Sequence, residues 1–491
     1  MKNPLHADRV ILVSTVFGVS DVESRIGHSA YSYYFVYRAF KPLLERYCHL
    51  REISHPESQL SYAAKTAHDE GMKPIHLAFL PLEDVYLSGN IPLVAFPFWE
   101  FPDIPGKNLG NQPRENWRLA IRNIFAIVTA CHFTRNAFER ADFHGSIDVI
   151  PVPIRQAYFE VSAWNALEAV NVGCPWFEFR PYEVSPDIPV PPLLPLTSSF
   201  GALLNPRFLA RKVLRIARAI SPGMTNFVVG HISRAISAYS RAAAPQAESF
   251  EHISALERDA LCLSGIVFTS IFNPLDARKN WTDLVTAALT AFSDRPDVTL
   301  LFKLVAPPDH RLFGVDVIHR FYRQAQIRHA CRFVVVSDYL SDRQMVDVVR
   351  GSTFYLNASR AEGACLPLQD FLASGRPAVA PGHTAMQDYF DSDVGFVVQS
   401  SQEPTSWPRD PEKAIATRWA RIDWSSLHEN LGRAYVLAKD DHGSYQRMAD
   451  VGRQRMATYA SVDATWEKLS LSLDRLMEKA GAAQSEADRS S

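Results

Sequence analysis

Two successive trains of short, β-branched apolar segments, separated by stretches with helical spacing, constrain this chain more than any other feature. The first train holds RVILVST (9–15), HLAFL (76–80), PLVAF (92–96), AIVTACHF (126–133) and IDVIPVPI (147–154), with helical patterns over 29–50 and 115–124. The second begins at GIVFTSI (265–271) and continues through TLLFKLV, RFVVVSD, TFYLNAS, PAVA and GFVVQ, with helices such as NWTDLVTAALTAF and DRQMVDVVRG between them. Apolar strands alternating with helices predict parallel sheets covered on both faces. A chain of 491 residues exceeds the size at which one core stops growing. The expected architecture is therefore α/β, with two doubly wound, Rossmann-like domains.

The stretch between the trains has a different character. Seven prolines between Pro175 and Pro195 predict an extended, polyproline-like connector. From Gly201 to Gln246 there are seven Lys or Arg and no Asp or Glu. Within it, 205–221 sets Arg207, Arg211, Arg215 and Arg218 on one helical face and Leu209, Val213, Ile216 and Ile220 on another. That pattern suits a helix lying on an anionic membrane surface, and equally a surface helix that packs its apolar side on the protein. The expected domains are 1–157, an inserted Pro-rich and basic-helix segment over 158–260, a second α/β domain over 261–410, helices over 411–480 and a disordered tail over 481–491.

Composition narrows the class. Hydrophobic residues at 47% and charged residues at 21% describe a folded chain. With 51 Lys plus Arg against 53 Asp plus Glu, the net charge of −2 gives no global reason to expect nucleic acid as a partner. The six cysteines stand apart from one another, without metal-ligand spacing, and read as reduced thiols of a cytoplasmic protein. The N-terminal apolar run passes directly into a Gly/Ser/Asp loop, unlike a signal peptide, and the longest uncharged stretch is broken by prolines, so no transmembrane segment is expected.

The most informative segment is SRAEGACLPLQDFLASGRP (359–377). It follows a strand, turns through small residues and starts a helix, with Pro367 in the first helical turn and Gly375 just past the last. The backbone N–H groups of Gly363, Ala364, Cys365 and Leu366 should then face the carboxyl end of the sheet, where the helix dipole favours an anion such as a diphosphate. Glu362 and Asp370 flank this nest, about 12 Å apart at 1.5 Å rise per residue. That is too far for a glycosidase carboxylate pair, and it suits two acids holding different parts of one long ligand.

These residues resemble the retaining, GT-B-fold glycosyltransferases of family 4, whose hallmark is a Glu, seven residues and a second Glu, followed by a G-x-P turn. The resemblance implies that Glu362 contacts the donor sugar and Asp370 the ribose of a nucleotide. Asp370 is one methylene shorter than the usual Glu, and Cys365 stands where a Gly is usual. NPLDARKNWTDL (273–284) resembles the family's loop ending in Lys-Gly or Lys-Asn, which implies that Arg278 and Lys279 clamp the donor diphosphate; the Arg that many members carry directly after the strand is replaced by Phe272 and Asn273. Tyr339 and Leu340, after RFVVVSD, fall where the family holds the nucleobase.

In the first domain FPFWEFPDIP (96–105) resembles a Trp-Glu segment of a subset of members. It closes a strand, so Trp99 and Glu100 should face the cleft, where an indole can stack on a sugar and a carboxylate can accept hydroxyl protons. The loop 17–29, with Gly27 and His28, should close over the donor or the acceptor. YASVDATWEKL (459–469) resembles the helix that crosses back to the first domain.

The resemblance implies a GT-B fold, two Rossmann-like domains facing a cleft, and an enzyme that moves a sugar from a nucleotide-sugar donor to a saccharide or lipid-linked glycan acceptor in cell-surface polysaccharide synthesis. Glu362, Arg278, Lys279 and Glu100 are the candidate catalytic residues. No metal and no cofactor is expected, since cationic side chains and a helix dipole take the metal's role. The expected setting is the cytoplasm, with association to the inner membrane face through the basic helix. A catalytically silent subunit that binds a partner glycosyltransferase and a nucleotide-sugar epimerase are the alternatives.

Overall fold

A computed structural model describes residues 4–15, 31–87, 91–106, 116–180, 257–408, 410, 413 and 415–490. The first domain comprises β1 (His6–Thr15), α1 (Ser32–Tyr47), β2 (Cys48–Ile53), α2 (Pro56–Asp69), β3 (Lys73–Phe79), β4 (Leu93–Ala95), β5 (Ala126–Thr129), α3 (His132–Glu139) and β6 (Ser146–Val149). Its six strands run in the order β2-β1-β3-β4-β5-β6, and every pairing is parallel. Val10, Ile11, Leu12 and Val13 are all buried, as expected of a strand covered on both faces. On one face α1 lays Tyr37, Phe40 and Leu44 against Phe79 and Phe96.

The second domain comprises β7 (Val170–Val172), β8 (Trp176–Phe179), β9 (Glu257–Arg258), β10 (Leu261–Leu263), β11 (Ile266–Phe272), α4 (Trp281–Ala291), β12 (Val298–Leu304), α5 (Arg311–Ala325), β13 (Arg332–Val336), α6 (Asp342–Arg350), β14 (Phe354–Leu356), α7 (Leu366–Ala373), β15 (Ala378–Pro381) and β16 (Gly395–Val398). Its sheet has the order β16-β15-β14-β11-β12-β13-β8-β9. Strand β11 lies between β12 and β14, both parallel to it. The chain therefore winds outward through β12 and β13, then returns to the other side of β11. The carboxyl ends of β11 and β14 flank this reversal, the place where open α/β sheets bind ligands.

The boundary of the expected insertion is corrected. Strands β7 and β8 lie inside 158–260 yet belong to the second domain: β8 pairs antiparallel with β13, Phe177 opposite Val335, and β9 pairs with β8. Residues 181–256, the basic segment included, leave from and return to this sheet edge and lie outside the described residues. The strand WFEF was hidden by Pro175 and Pro181, which flank it in the sequence and make it read as part of a Pro-rich connector.

Beyond β16 come the antiparallel hairpin β17 (Ser400–Ser406) and β18 (Ala416–Ile422), then α8 (Trp424–Asp440), α9 (His442–Ala460) and α10 (Val462–Ser490). Helix α10 inserts Leu469, Leu473, Leu476 and Met477 into the core of the first domain. Asp474 on it pairs with Arg9 at 2.6 Å and Arg475 with Asp148 at 2.7 Å. The helix continues to Ser490, through the segment whose small polar residues predicted a disordered tail. Ala, Glu, Gln and Arg there are good helix formers, and they extend a helix already anchored by packing. Among the described residues no helix is long and apolar enough to cross a membrane.

Candidate active site

The loop after β11 is shaped by Asp276. Its Oδ1 accepts from the backbone N–H of Arg278 at 3.0 Å and caps the tight turn Ala277–Lys279, after which Asn280 takes a left-handed conformation (φ 48°) and α4 begins. The same carboxylate grips the Arg278 guanidinium in two bonds, Nε to Oδ1 at 3.1 Å and Nη2 to Oδ2 at 2.6 Å. Arg278 is thereby aimed across the cleft, where its Nη1 lies 2.5 Å from Oε1 of Glu100 in the first domain.

Lys279, the next residue, places its ammonium 2.6 Å from Oε1 of Glu362. The Arg360 N–H donates to the carbonyl of Arg278 at 2.7 Å, joining the β11 and β14 loops into one wall.

Glu362 is buried, 6% exposed. Burial alone would raise its pKa, but the Lys279 and Arg278 cations hold the carboxyl below its usual range. Burial would likewise lower the Lys279 ammonium, and Glu362 raises it above its ordinary value. Arg278 is raised despite burial by Asp276 and Glu100, and Asp276 is lowered despite burial by Arg278 and Lys279. The centre thus pairs two cations, Arg278 and Lys279, with the carboxyls of Asp276 and Glu362, both held low, and with Glu100 at salt-bridge distance from Arg278. Buried charges persist only when paired in this way.

Behind Glu362 runs the nest. Cys365 adopts the left-handed conformation (φ 55°, ψ 56°) directly before α7, a position where Gly would carry no Cβ penalty. Asn357 braces it, with Oδ1 accepting from the Ser359 N–H at 2.6 Å and Nδ2 donating to Cys365 Sγ at 3.1 Å. Pro367 has no N–H and the Leu368 N–H donates to the Cys365 carbonyl at 3.0 Å, so it is the segment 363–366 that leads into the N-terminus of α7 beside the Arg278–Lys279 pair. The first domain lies close to this segment: a Cβ on Gly363 would stand 3.4 Å from Phe98 and 3.5 Å from the Trp99 nitrogen.

The other expected site residues lie around this centre. Asp370, set apart from Glu362 as its spacing implies, stands in a second polar cluster with Arg155, Tyr158 and Asp342. Burial pushes its carboxyl up to about 7, opposed by the Arg155 guanidinium and the Tyr158 hydroxyl. Next to it Asp342 pairs with Arg155 at 2.6 Å and with Arg38 of the first domain at 2.8 Å. Trp99 does not offer an open ring face: it is 4% exposed, packs against Trp117, Phe101 and Trp407, and donates its indole N–H to the Asp103 carbonyl at 3.1 Å. Such packing fixes the segment and leaves Glu100, its neighbour, facing the cleft. Leu340 is buried, whereas Tyr339 is 37% exposed at the end of β13. Gly27 and His28, and Arg207, Arg211, Arg215 and Arg218, lie outside the described residues.

Sequence reasoning missed Tyr31, Asp276 and the pair His383–Thr384. Tyr31, just ahead of α1, has its hydroxyl raised to about 12 by burial, with Lys279, Asp276, Glu362 and Arg278 as its charged neighbours; its position at the start of the first helix after β1 was the available signal. His383 and Thr384 follow β15, where Thr384 Oγ1 accepts from the Glu362 N–H at 3.1 Å. Nothing in PGHTAMQ alone marks them.

No protein-family model matches the chain, and no curated protein matches its sequence. Among solved structures, a sucrose-phosphate synthase from Thermosynechococcus elongatus superposes with a TM-score of 0.50 at 13% identity, over 97% of this chain and 100% of that one. A glycosyltransferase from Rickettsia africae gives a TM-score of 0.49 at 10% identity, over 96% and 99% of the two chains. HepE of Anabaena in complex with UDP and glucose gives 0.47 at 12% identity, over 95% and 100%. Two mainly parallel α/β sheets face each other across a cleft, and a last helix returns to the first of them. The chain has the GT-B fold expected from its sequence.

Proposed function

We propose that this protein is a retaining glycosyltransferase that moves a sugar from a nucleotide-sugar donor to a saccharide or lipid-linked glycan acceptor, in the manner of family 4 and in the service of cell-surface polysaccharide synthesis. The observation that carries the reading is the salt-bridged cluster at the β11–β14 reversal, in which Arg278 and Lys279 stand beside a helix N-terminus and face an acid of the opposite domain. The fold alone hosts many functions, and the argument rests on this site.

The donor diphosphate would take the place that Glu100 and Glu362 now hold at the two cations, with the N–H groups of 363–366 as further donors. Arg278 and Lys279 then offset the charge that develops on the leaving phosphate as the anomeric C–O bond breaks. The acceptor oxygen forms the new C–O bond on the same face, and its proton passes to the departing phosphate oxygen, so no protein nucleophile is needed. Glu362, released from Lys279, accepts a hydroxyl of the transferred sugar. Glu100, released from Arg278, is free to accept a hydroxyl proton on the acceptor side. Asp370 serves the ribose and Tyr339 and Leu340 the base, each on the strand end or helix that follows the nest or β13. No step calls for a divalent ion.

The test is nucleotide release from a panel of UDP- and GDP-sugars, with and without EDTA. Release on at least one donor, unchanged by EDTA and reduced at least about 10- to 100-fold by Arg278→Ala or Lys279→Ala, supports the reading. Nucleotide binding without turnover would favour the silent subunit, and a strict need for Mg²⁺ or Mn²⁺ would overturn the metal-free mechanism.

A further inference from the structure

Beside Glu362 lies an imidazole that the reaction above does not use. His383 follows β15 at the carboxyl end of the sheet, and the next residue, Thr384, takes a φ of +52°, rare for a β-branched side chain. Two bonds from the Glu362 peptide hold that conformation: the Glu362 N–H donates to Thr384 Oγ1 at 3.1 Å, and the Glu362 carbonyl accepts from the Ala385 N–H at 3.2 Å. A strained backbone kept by the site it adjoins is a pointer to function.

One arrangement of the hydrogen bonds sets the tautomer of the ring. The Thr384 hydroxyl has one proton and gives it to the His383 carbonyl at 2.8 Å. Toward the imidazole Nδ1, 3.2 Å away, the same oxygen can only accept. This arrangement puts the ring proton on Nδ1 and leaves Nε2 as a lone pair. This Nε2 is buried and has no hydrogen-bond partner among the described residues. Burial lowers the ring to about 4 against the opposing effects of Glu362 and of the Ser359 and His383 backbone, so it is neutral near pH 7. A buried acceptor left unmade is destabilising and is usually satisfied by a ligand or water.

We infer that His383 is a donor-specificity residue: its Nε2 accepts a hydroxyl proton of the transferred sugar, next to the hydroxyl that Glu362 accepts. The inference rests on the donor-site reading of Glu362 given above. Two adjoining acceptors, a carboxylate and a neutral imidazole, select a hexosyl group that offers two free hydroxyls and disfavour donors deoxygenated at either position. The recognised hydroxyl stays a donor throughout, and no proton leaves it.

The experiment compares the full-length wild type with His383→Ala and His383→Gln, reading nucleotide release from UDP- and GDP-hexoses and from the corresponding deoxy-hexose donors, together with calorimetric binding of free UDP and GDP. His383→Ala is expected to lower kcat/KM on the accepted hexose about 10- to 100-fold, with free-nucleotide affinity unchanged within about twofold. His383→Gln, whose amide oxygen can accept, should recover part of that loss. One deoxy donor should be as poor for the wild type as the full hexose is for His383→Ala, and no poorer again in the variant, since the two deletions remove one contact. Wild-type kinetics in His383→Ala, or losses that add for every deoxy donor, would overturn the inference while leaving the donor site standing. A wild type that neither binds nucleotide nor releases it from any donor would overturn the donor-site reading, and this inference with it.

Discussion

At the scale of residues, the site is a set of charges that already satisfy one another. Glu100 pairs with Arg278 and in the proposed reading competes there with the donor diphosphate, so Glu100→Gln should tighten free UDP or GDP binding about fivefold, the equivalent of about 1 kcal/mol, in a calorimetric titration. Weaker binding would show that Glu100 positions Arg278 and does not compete with the ligand. Asp370 gives a pH dependence. Its carboxyl is raised to about 7 by burial, against Arg155 and Tyr158 and with Asp342 adding to the rise. A carboxyl raised in the fold favours the protonated form, so it lowers stability as pH climbs from about 4 to 7. If the ribose needs the carboxylate, nucleotide affinity should instead improve through pH 7, and Asp370→Asn should flatten both trends. A pH-independent affinity in the wild type would remove Asp370 from the ribose. Of these residues, Glu362, Arg278, Lys279 and Glu100 were legible from spacing and resemblance. Tyr31 and His383 were not, because their roles depend on which loops the two sheets bring together.

At the scale of elements, the hairpin β17–β18 shows how the cleft is braced. Glu403 on it accepts from the Trp419 indole at 2.6 Å and pairs with Arg360 at 3.4 Å, while the Ala420 N–H donates to the Arg360 carbonyl at 2.8 Å. Trp407, just past β17, packs on Trp99 of the first domain. Since Arg360 holds the Arg278 loop, the hairpin connects the aromatic cluster to Arg278 and Lys279. Trp407→Ala should cost about 3 kcal/mol of stability, the low end for truncating a buried Trp, and should lower turnover more than nucleotide binding; a variant with wild-type melting and wild-type turnover would show the contact to be incidental. Most parallel strands of both sheets were readable because they are near-continuous apolar runs; β2 was not, since its CHLREI carries His49, Arg51 and Glu52 and its first residues fall in a pattern read as helical through residue 50. Strand β8 was not, being only four residues long between prolines, nor was the hairpin, whose β17 is the polar SSQEPTS. Elements stabilised by tertiary pairing leave a weak local pattern.

At the scale of the whole molecule, the two domains meet through polar contacts across the cleft and through a helix packed into the first core. Arg38 and Asp342, Glu100 and Arg278, and the bond from the His132 N–H to Asp388 at 2.8 Å cross the cleft, whereas α10 buries leucines in the first core. The basic segment lies outside the described residues, and the proposed membrane role rests on its sequence. Full-length protein is expected to bind anionic vesicles at low salt, to lose binding as salt screens the arginines, and to lose it outright in an Arg211→Glu, Arg215→Glu, Arg218→Glu variant that still glycosylates a soluble acceptor; equal binding to neutral and anionic vesicles would contradict this. The GT-B architecture was legible because two trains of strands announce two sheets.

The central claim is that the cluster at the β11–β14 reversal holds and activates a nucleotide sugar, with Glu362 on the sugar and not on the nucleotide. The most direct measurement is turnover and free-nucleotide binding in Glu362→Gln, which keeps the volume and an acceptor for Lys279 while removing the charge. Turnover lost by at least about 100-fold, with UDP or GDP affinity kept within a few-fold, is the predicted result. Wild-type turnover in this variant would contradict the account.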